Sequence, residues 1–551
     1  MNEGHSSLLT LELLTRNDMN LDRVKNICIF TTHTPVEAAF DKFPYDIVEE
    51  LLGGTFPIEE MKKYGGRDQL NMTLLALNLS KYTNGVTKAH MEYSRKLFPG
   101  HHIMAITNGV HSYTWTCPYF RELFDRYIPG WANEPWLLVR VGLIPDEEIW
   151  GAHVKAKKAL FEFVKEKTGV EMDLDVLTLG FARRATAYKR ATLIFSDIDR
   201  LREVNKTGRL QLIFAGKAHP RDVPGKMMIK EIYGHMKRLK DEIRIVYLEN
   251  YNMEIAAKIT SGVDVWLNNP RRPMEASGTS GMKAAVNGAL NMSTLDGWWC
   301  EGYKPDGGWV IGAGETYDDA AYQDMVESQA IYNILENEVV PLFYTRSADN
   351  LPRAWIKRVK NSLAWIVPRF NTNRMVAEYT RRAYSTADAR WRYLTGDAML
   401  RAKELSTWKA NVRKAWPELT IEDVQIQVNN GNGNSRLNPK QPQLKVGSEL
   451  TVNALVKLGG LKPDNVSVQL YHGPVDTWGN ISEGLAVRMD YKESAGKDGQ
   501  HWFTGLMTCR TSGRQGLAVR ILPKHDDLTN PYELGLVLWE ASTAKTGSAN
   551  D

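Results

Sequence analysis

The residues best suited to chemistry lie in one stretch of small residues, Glu275-Ala-Ser-Gly-Thr-Ser-Gly-Met-Lys283. These residues permit a tight turn and would leave free backbone N–H groups at the start of a helix, which we predict over residues 282–289. Free N–H groups at a helix start form a site for an anion. Lys283, in the first turn, could neutralise a phosphate or bind an aldehyde cofactor through its amine; the spacing alone favours the first role.

Four apolar segments predict the parallel sheet that would position this stretch. They alternate with helical segments and cover residues 176–181, 210–215, 243–248 and 263–267. Such alternation is typical of a doubly wound α/β domain with right-handed crossovers. A polar cluster follows each segment, and clusters at the same ends of neighbouring parallel strands converge on one crevice.

The first of these clusters is basic. Arg183, Arg184 and Lys189 follow the strand predicted over residues 176–181. Guanidinium groups match phosphate oxygens in pairs, so the cluster predicts a phosphate site. A solvated basic helix start is the alternative, and charge alone does not decide between them.

Two shorter patterns precede this region. A predicted strand over residues 26–30 ends in Thr31-Thr-His-Thr34, which places His33 at a strand end, where open α/β sheets bind ligands. The segments starting at Asn84 and at Thr107 share a strand-to-turn pattern with glycine at the bend. On the residues alone, His33 is more simply a loop or capping histidine, and Trp115 a core residue.

The chain is long enough for several domains, at 551 residues. We predict boundaries that give regions 1–115, 116–415 and 416–551. The last has apolar residues at period two, which predicts strands over 424–428, 450–456, 466–471 and 517–522 in an antiparallel sandwich. Its aromatic residues could stack on sugars but are more simply core residues: Tyr471, Trp478, Trp502 and Trp539.

Composition excludes several classes of function. The 69 basic and 65 acidic residues give a net charge of +4 without a long basic run, which argues against nucleic-acid binding. No apolar run approaches the roughly 20 residues of a membrane span. The four cysteines show neither metal-ligand nor disulfide spacing, so we expect no metal site and a reducing, cytoplasmic location.

Three motifs together resemble the α-glucan phosphorylases, which act on glycogen, starch and maltodextrin. They are the stretch from Glu275 to Lys283, Asn287-Gly-Ala-Leu290, and Thr294-Leu-Asp-Gly297. Ser280-Gly281 stands where better-known members have Gly-Asn. The sequence therefore most resembles a divergent bacterial-type branch of the family. The resemblance runs from residue 1 to about residue 540. It implies an α/β fold with two Rossmann-like domains of GT-B type, the first one incomplete, followed by a β-sandwich-like domain.

The resemblance also implies roles for residues at matching positions. Lys283 would carry pyridoxal 5'-phosphate, in a pocket shared with Thr279, Arg183, Tyr251 and Trp115. The transfer of glucose between an α-1,4-glucan and phosphate, which gives glucose 1-phosphate, would involve His33, Arg184, Lys189 and Glu275. Glucose would be bound by Asn108, Tyr188, Ser277 and Gly278.

Some positions depart from the family's pattern. Thr186 replaces a histidine, Asn252 an arginine, and Arg183 a lysine that contacts the cofactor phosphate. Residues 1–5 resemble the middle of the family's first domain. We therefore expect an upstream segment, in the same or a separate chain, without which residues 1–551 would bind the cofactor poorly. Assembly into a homo-oligomer is an alternative.

Three other functions remain open at this point. A nucleotide-sugar glucosyltransferase would use the basic cluster for a diphosphate but would leave Lys283 without a covalent role. A hydrolase could pair the carboxylates of Glu249 and Glu275. An inactive fragment or glucan-binding scaffold needs no chemistry at all.

Overall fold

The computed structural model describes residues 1–37, 40–430, 433–436, 444, 446–475, 481, 484–496 and 499–541. The chain forms two compact units, Met1–Asp388 and Ala389–Asp551. In the described part, no helix is both long and apolar enough to span a membrane, and no group of three His, Cys, Asp or Glu side chains could hold a metal ion.

A small parallel sheet lies in the first part of the amino-terminal unit. Its strands are β1 (Ile29–Thr31), β4 (Tyr82–Gly85) and β5 (Ile103–Ala105), in that order, and a separate two-stranded antiparallel sheet pairs β2 (Lys42–Pro44) with β3 (Gln69–Asn71). The helices of this part are α1 (Leu8–Arg16), α2 (Leu21–Ile27), α3 (Tyr45–Leu52), α4 (Ile58–Gly65), α5 (Met72–Asn78), α6 (Lys88–Leu97) and α7 (Ser112–Trp115).

The second sheet has six parallel strands in the order β11-β10-β9-β6-β7-β8. They are β6 (Leu177–Ala182), β7 (Leu210–Ala215), β8 (Arg244–Leu248), β9 (Val265–Asn268), β10 (Leu290–Thr294) and β11 (Gly308–Ile311). The four predicted strands are confirmed, and β10 and β11 extend the sheet beyond them. Because the order reverses between β6 and β9, the carboxyl ends of these two strands form a switch point, where open α/β sheets bind ligands.

The helices around this sheet bury its two faces. They are α8 (Pro118–Tyr127), α9 (Asp146–Thr168), α10 (Ile198–Thr207), α11 (Val223–Arg238), α12 (Met253–Gly262), α13 (Ser280–Ala285), α14 (Trp299–Gly302), α15 (Ala320–Ile334), α16 (Val340–Tyr344) and α17 (Arg353–Ile366). Two further helices follow in the chain: α18 (Thr372–Tyr379), none of whose residues is buried, and α19 (Ser385–Ala415), most of which belongs to the second unit and which is non-helical at residues 396–399. One core includes Leu179, Leu212, Val265 and Leu290, and a second includes Ile213, Val246 and Trp266. Both faces of the strands are therefore apolar, as in buried parallel sheets.

A buried ionic network fixes the start of β9. Asp264 accepts hydrogen bonds from Lys157 Nζ, His153 Nε2 and the Thr178 N–H, each at 2.7 Å. Burial alone would raise the pKa of Asp264, but the charges and hydrogen bonds of Lys157 and His153 together outweigh it and lower that pKa. The network ties α9 and β6 to the strand that leads into the Glu275 stretch.

The carboxyl-terminal unit contains two antiparallel sheets. One has the order β13-β12-β14-β18-β17 and the other β16-β15-β19-β20. The strands are β12 (Thr420–Asn430), β13 (Gly433–Arg436), β14 (Glu449–Lys457), β15 (Val466–Pro474), β16 (Leu485–Arg488), β17 (Asp490–Ser494), β18 (Gln500–Thr508), β19 (Gln515–Pro523) and β20 (Leu538–Trp539). Inward residues of both sheets, such as Val452, Phe503, Leu470 and Ile521, share one core, as in a sandwich.

The aromatic residues of this unit differ in exposure. Tyr471 and Trp539 pack edge to face on the outer side of the second sheet, with ring centroids 5.4 Å apart, and Trp539 is 44% exposed. Trp502 is half-buried. Trp478 lies outside the described residues.

One predicted helix is wrong in its bounds. The helix expected over residues 282–289 is α13, Ser280–Ala285, and Lys283 is in its last turn. The chain turns at Gly288, whose φ is 77°, because β10 starts two residues later. A helix of six residues contributes only a small dipole. The helix dipole therefore no longer supports the anion site that we expected at its start.

Candidate active site

At the switch point lies a buried carboxylate between two cations. Glu275 follows β9 in the chain, whereas Arg183 and Lys189 follow β6. The Arg183 guanidinium donates to Glu275 Oε2, and Lys189 Nζ lies 2.6 Å from the same oxygen. All three side chains are less than 10% exposed. The two adjacent strand ends at the switch point therefore meet in one ionic cluster.

Each member of this cluster changes the proton affinity of the others. Burial alone would raise the pKa of Glu275, but Arg183 and Lys189 outweigh it and lower that pKa. Burial and the charge of Arg183 lower the pKa of Lys189 to about 7, against the opposing charge of Glu275. Lys189 can therefore hold or release a proton near neutral pH, while Glu275 stays ionised.

Two glycines shape the loop that carries Glu275. Gly278 has a φ of 76° and Gly297 a φ of 53°, both in the left-handed region that glycine enters at no steric cost. A Cβ at Gly297 would lie 2.5 Å from the Ser277 carbonyl oxygen. That carbonyl also accepts the Trp298 N–H at 2.9 Å. The loop is thus packed tightly against the turn that follows β10.

Asp296 joins these two segments and was missed as a site residue. Its carboxylate accepts the backbone N–H of Glu275 at 2.8 Å and that of Gly297 at 2.9 Å. Burial raises the pKa of Asp296 to about 7, with Glu275 adding to the shift. The Thr294-Leu-Asp-Gly297 motif contributed to the family resemblance, but only the fold shows that Asp296 holds the backbone of Glu275.

Lys283 lies beside an aromatic ring. Its Nζ is 3.6 Å from the centroid of the Trp115 ring, and burial lowers the pKa of Lys283. Asn287 positions both residues, since its side-chain amide donates to the Trp115 carbonyl at 2.7 Å and to the Lys283 carbonyl at 2.9 Å. Within the described residues no carboxylate is paired with this amine. A partly buried, uncompensated lysine amine is suited to nucleophilic chemistry.

Several hydroxyl groups around the amine and the ionic cluster are buried without a hydrogen-bond partner in the described part of the chain. They are Ser277 Oγ, Ser280 Oγ and Thr186 Oγ1. Thr279 stands at the amino-terminal cap of α13, but its side chain makes no capping hydrogen bond. Because buried polar groups are normally paired, these hydroxyls have capacity to bind a polar ligand.

The local packing explains why position 281 is glycine here, where better-known family members have asparagine. A Cβ there would lie 2.3 Å from Asn291 Oδ1 and 2.8 Å from the Trp298 ring. Trp298 is fully buried and fills the space beside the helix. No side chain fits at position 281 beside this tryptophan, so the asparagine of better-known family members would require both neighbours to move.

The remaining predicted residues of this domain lie at different depths. Tyr188 is half-buried with its ring 4.5 Å from Lys189 Nζ, and burial raises its pKa to about 12. Tyr251 is half-buried against the core, and burial raises its pKa. Arg184 is exposed. The structure thus brings Arg183, Lys189 and Glu275 together and leaves Arg184 at the surface.

His33 and Asn108 belong to the first sheet's side of the unit. His33 Nε2 lies 2.5 Å from Asn2 Oδ1, and burial lowers the pKa of His33 despite nearby Glu3. The Asn108 N–H donates to the Val86 carbonyl at 2.9 Å. Both residues follow or adjoin strand ends, as predicted, and their roles stay predictions.

Direct contacts join the side of the first sheet to the Glu275 loop and to Glu301, and the sequence did not predict them. Thr87 Oγ1 donates to the Ala276 carbonyl at 2.8 Å. Thr107 Oγ1 and the Lys88 N–H both donate to Glu301. The residues are separated by 189 to 213 positions in the chain, and no local pattern links them.

The fold and the site define an α/β protein with a buried cluster of two cations and one carboxylate at a switch point, an arrangement suited to phosphorylated ligands. The family model described as carbohydrate phosphorylase matches residues 57–303, and that of the glycogen phosphorylase C-terminal domain matches residues 416–541. The chain belongs to the carbohydrate phosphorylase family, which confirms the resemblance.

Three relatives illustrate the similarity. Maltodextrin phosphorylase of Thermococcus litoralis is 37% identical over 98% of this chain and 67% of its own length. Glycogen phosphorylase of Mycobacterium tuberculosis is 35% identical over the same shares. Glycogen phosphorylase of Aquifex aeolicus is 40% identical over 67% of this chain and 58% of its own length. The chain thus spans 67% of the length of the first two.

Proposed function

We propose that this protein is a pyridoxal 5'-phosphate-dependent α-1,4-glucan phosphorylase. It transfers the terminal glucosyl unit of a glucan to inorganic phosphate and gives glucose 1-phosphate. The single observation that carries the proposal is the ionic cluster of Glu275 with Arg183 and Lys189 at the switch point, on the same loop-to-helix segment that carries the Lys283 amine, which has no carboxylate partner in the described residues. Family membership supports the same reaction.

The residues fit the cofactor. Lys283 offers a partly buried amine with a lowered pKa beside the flat face of Trp115. The hydroxyls of Ser280 and Thr186, which have no partner in the described part of the chain, can donate to an anionic oxygen, and the Thr279 hydroxyl makes no capping hydrogen bond at the helix start. Lys283 would hold the cofactor covalently, with Arg183 and Tyr251 completing its pocket. When bound, the cofactor supplies a phosphate group that shuttles the proton to and from the substrate phosphate.

The protein's own side chains bind and orient the substrates. Lys189 is suited to the substrate phosphate because its pKa of about 7 lets it bind an anion and exchange a proton. Arg184 is exposed and would reach the phosphate from the rim. Glu275, Ser277 and the Gly278 backbone would bind glucose hydroxyls, and Tyr188 would line the same subsite.

The opposite wall completes the glucose site in this proposal. Asn108 and His33 contact the transferred glucosyl unit from the side of the first sheet. The two-wall arrangement is that of a GT-B fold with two Rossmann-like domains, followed by a β-sandwich-like domain, with boundaries near residues 115 and 415. All four cysteines are free, in keeping with the cytoplasmic location we propose.

The competing functions explain fewer of these features. A nucleotide-sugar glucosyltransferase gives the Lys283 amine no role. A hydrolase based on Glu249 and Glu275 would need a protonated carboxyl in the pair. Glu275 is held ionised by two cations, while Glu249 is exposed and accepts a hydrogen bond from Tyr233 at 2.8 Å.

The reaction can be tested by product analysis. The protein, expressed from its complete reading frame, is incubated with maltodextrin and phosphate, with maltodextrin and water, and with a glucose nucleotide and maltodextrin. We expect glucose 1-phosphate in the first mixture only. Glucan elongation from the nucleotide, or free glucose formed without phosphate as the main product, would replace the proposal with one of the other two enzymes. Inactivity in all three would favour a scaffold.

A further inference from the structure

Hydrogen bonds at and beside Glu301 join two parts of the amino-terminal unit, which we call its two walls: the side of the first sheet, which carries Asn108, and the side of the second sheet, which carries the Glu275 loop. The carboxylate accepts the Lys88 backbone N–H at 2.9 Å, and Thr107 Oγ1 lies 3.0 Å from one carboxylate oxygen and 2.9 Å from the other. Beside it, Thr87 Oγ1 donates to the Ala276 carbonyl at 2.8 Å. We call these contacts the Glu301 latch.

One side of the latch is the amino-terminal end of α6. Lys88 is the first residue of this ten-residue helix, and Thr87 is its cap, accepting the His90 N–H at 3.0 Å. A carboxylate at the amino-terminal end of a helix interacts favourably with the helix dipole, and hydrogen bonds to an ionised acceptor are stronger than neutral ones. Glu301 therefore binds this helix end from α14, which belongs to the other wall.

The latch lies next to the residues assigned to glucose on both walls. Thr107 immediately precedes Asn108, and Ala276 lies between Glu275 and Ser277. Glu301 also follows the turn at Asp296, whose carboxylate holds the Glu275 N–H at 2.8 Å. A shift at the latch would therefore change the distance between the two glucose-binding walls.

We propose that Glu301 is a positioning residue that holds the wall carrying Asn108 against the Glu275 loop, and that this closure excludes water from the transferred glucosyl unit. This inference rests on the proposed phosphorylase function. When the latch is broken, water competes with phosphate: the bond from glucose C1 to the glucan O4 breaks, C1 binds a water oxygen, and the released proton goes to O4. Closure that excludes water is a general means of suppressing such side reactions.

The test compares variants that break the latch from each wall. Glu301→Ala removes the acceptor, and Thr107→Val removes one donor at nearly constant volume. Glu92→Ala is the control, since Glu92 is an exposed residue of the same helix. Glucose 1-phosphate and free glucose are measured together with kcat and KM for maltodextrin. A residue with only a structural role would lower the amount of active enzyme without changing the ratio of the two products.

We expect breaking the latch to change the ratio of free glucose to glucose 1-phosphate. Glu301→Ala should raise the ratio of free glucose to glucose 1-phosphate and the KM for glucan, each by roughly tenfold, the loss expected for a hydrogen bond to a charged group. Thr107→Val should shift both in the same direction by less, and should add nothing in the Glu301→Ala background. Pyridoxal content should not change.

Other outcomes separate this inference from the function on which it rests. If the wild type makes glucose 1-phosphate and neither variant changes the product ratio, the latch proposal is wrong. Should Glu301→Ala fail to fold, Thr107→Val alone must show the shift. If the wild type makes no glucose 1-phosphate, the phosphorylase proposal fails, and hydrogen exchange at the Lys88 amide still tests the contact: it must quicken in Glu301→Ala and not in Glu92→Ala.

Discussion

Lys189 Nζ lies 2.6 Å from Glu275 Oε2, although the two residues are 86 positions apart and follow different strands. The contact forms because β6 and β9 are neighbours in the sheet and end at the same edge. It places a lysine whose pKa is lowered to about 7 in a site that also contains Arg183. The site can therefore change its charge near neutral pH.

We predict that phosphate binding weakens as the pH rises past about 7, because Lys189 then loses its proton and with it the attraction to an anion. The KM for phosphate, measured from about pH 6 to pH 9, should rise more steeply in the wild type than in Lys189→Arg, since arginine stays charged over this range. Phosphate ionises identically in both assays. Equal slopes for the two proteins would show that Lys189 does not set the phosphate dependence.

Arg184 is predicted to contact the substrate phosphate from the rim of the crevice, where its side chain is exposed. Arg184→Ala should lower kcat or raise the KM for phosphate by roughly tenfold to hundredfold, the value of one charge-assisted hydrogen bond. Pyridoxal content, read from absorbance, should be unchanged, because the cofactor is assigned to Lys283. Loss of cofactor with normal phosphate saturation would instead assign Arg184 to the cofactor.

Asp296 should make stability depend on pH in an unusual direction. Its folded pKa of about 7 lies above the ordinary value of 3.8, so between these values the folded protein binds more protons than the unfolded chain. Its contribution to stability therefore falls as the pH rises from 3.8 to about 7. Urea unfolding should show this slope, at most about 1.4 kcal/mol per pH unit, in the wild type. The Asp296→Asn variant should lack this pH dependence, whereas the control variant Asp318→Asn, at an exposed residue, should retain it.

The Asp264 network should matter for stability and not for chemistry. Asp264→Ala leaves Lys157 buried without its carboxylate and should reduce the free energy of unfolding by about 3–5 kcal/mol. Denaturant unfolding measures this loss, and Asp241→Ala, at an exposed residue before β8, is the control. Soluble Asp264→Ala protein should still bind pyridoxal phosphate. A change below about 1 kcal/mol would mean that the structure relaxes around the unpaired lysine.

Much of the central sheet could be predicted from the sequence because β6 to β9 are continuous apolar segments. β10 and β11 were missed because Asn291, Ser293 and Gly308 interrupt their apolar pattern, although Asn291 and Ser293 are fully buried. Both side chains make hydrogen bonds inside the fold: Asn291 Nδ2 donates to the Gly281 carbonyl at 3.0 Å, and Ser293 Oγ donates to the Thr294 carbonyl at 3.0 Å. Buried pairing of this kind leaves no periodic signal.

The site was predictable where a motif is local and not where distant residues meet. The Glu275 to Lys283 stretch and the two short motifs that follow it, Asn287-Gly-Ala-Leu290 and Thr294-Leu-Asp-Gly297, carried the resemblance to the family. The Arg183 pairing with Glu275, the Asp296 contact and the Glu301 latch depend on strand order and loop packing, which single residues do not reveal. The misplaced end of α13 has a similar cause, since apolar residues after Ala285 continue a helical pattern that Gly288 breaks.

Covalent mapping of the cofactor tests the central claim most directly. The protein is loaded with pyridoxal phosphate, reduced with borohydride, digested and analysed by mass spectrometry, with Lys283→Ala as the matched control. We predict one pyridoxyl group per chain, attached at Lys283, and in Lys283→Ala a folded protein without the adduct and without glucose 1-phosphate formation. An adduct on another lysine, or a Lys283→Ala protein that still releases glucose 1-phosphate, would contradict the account.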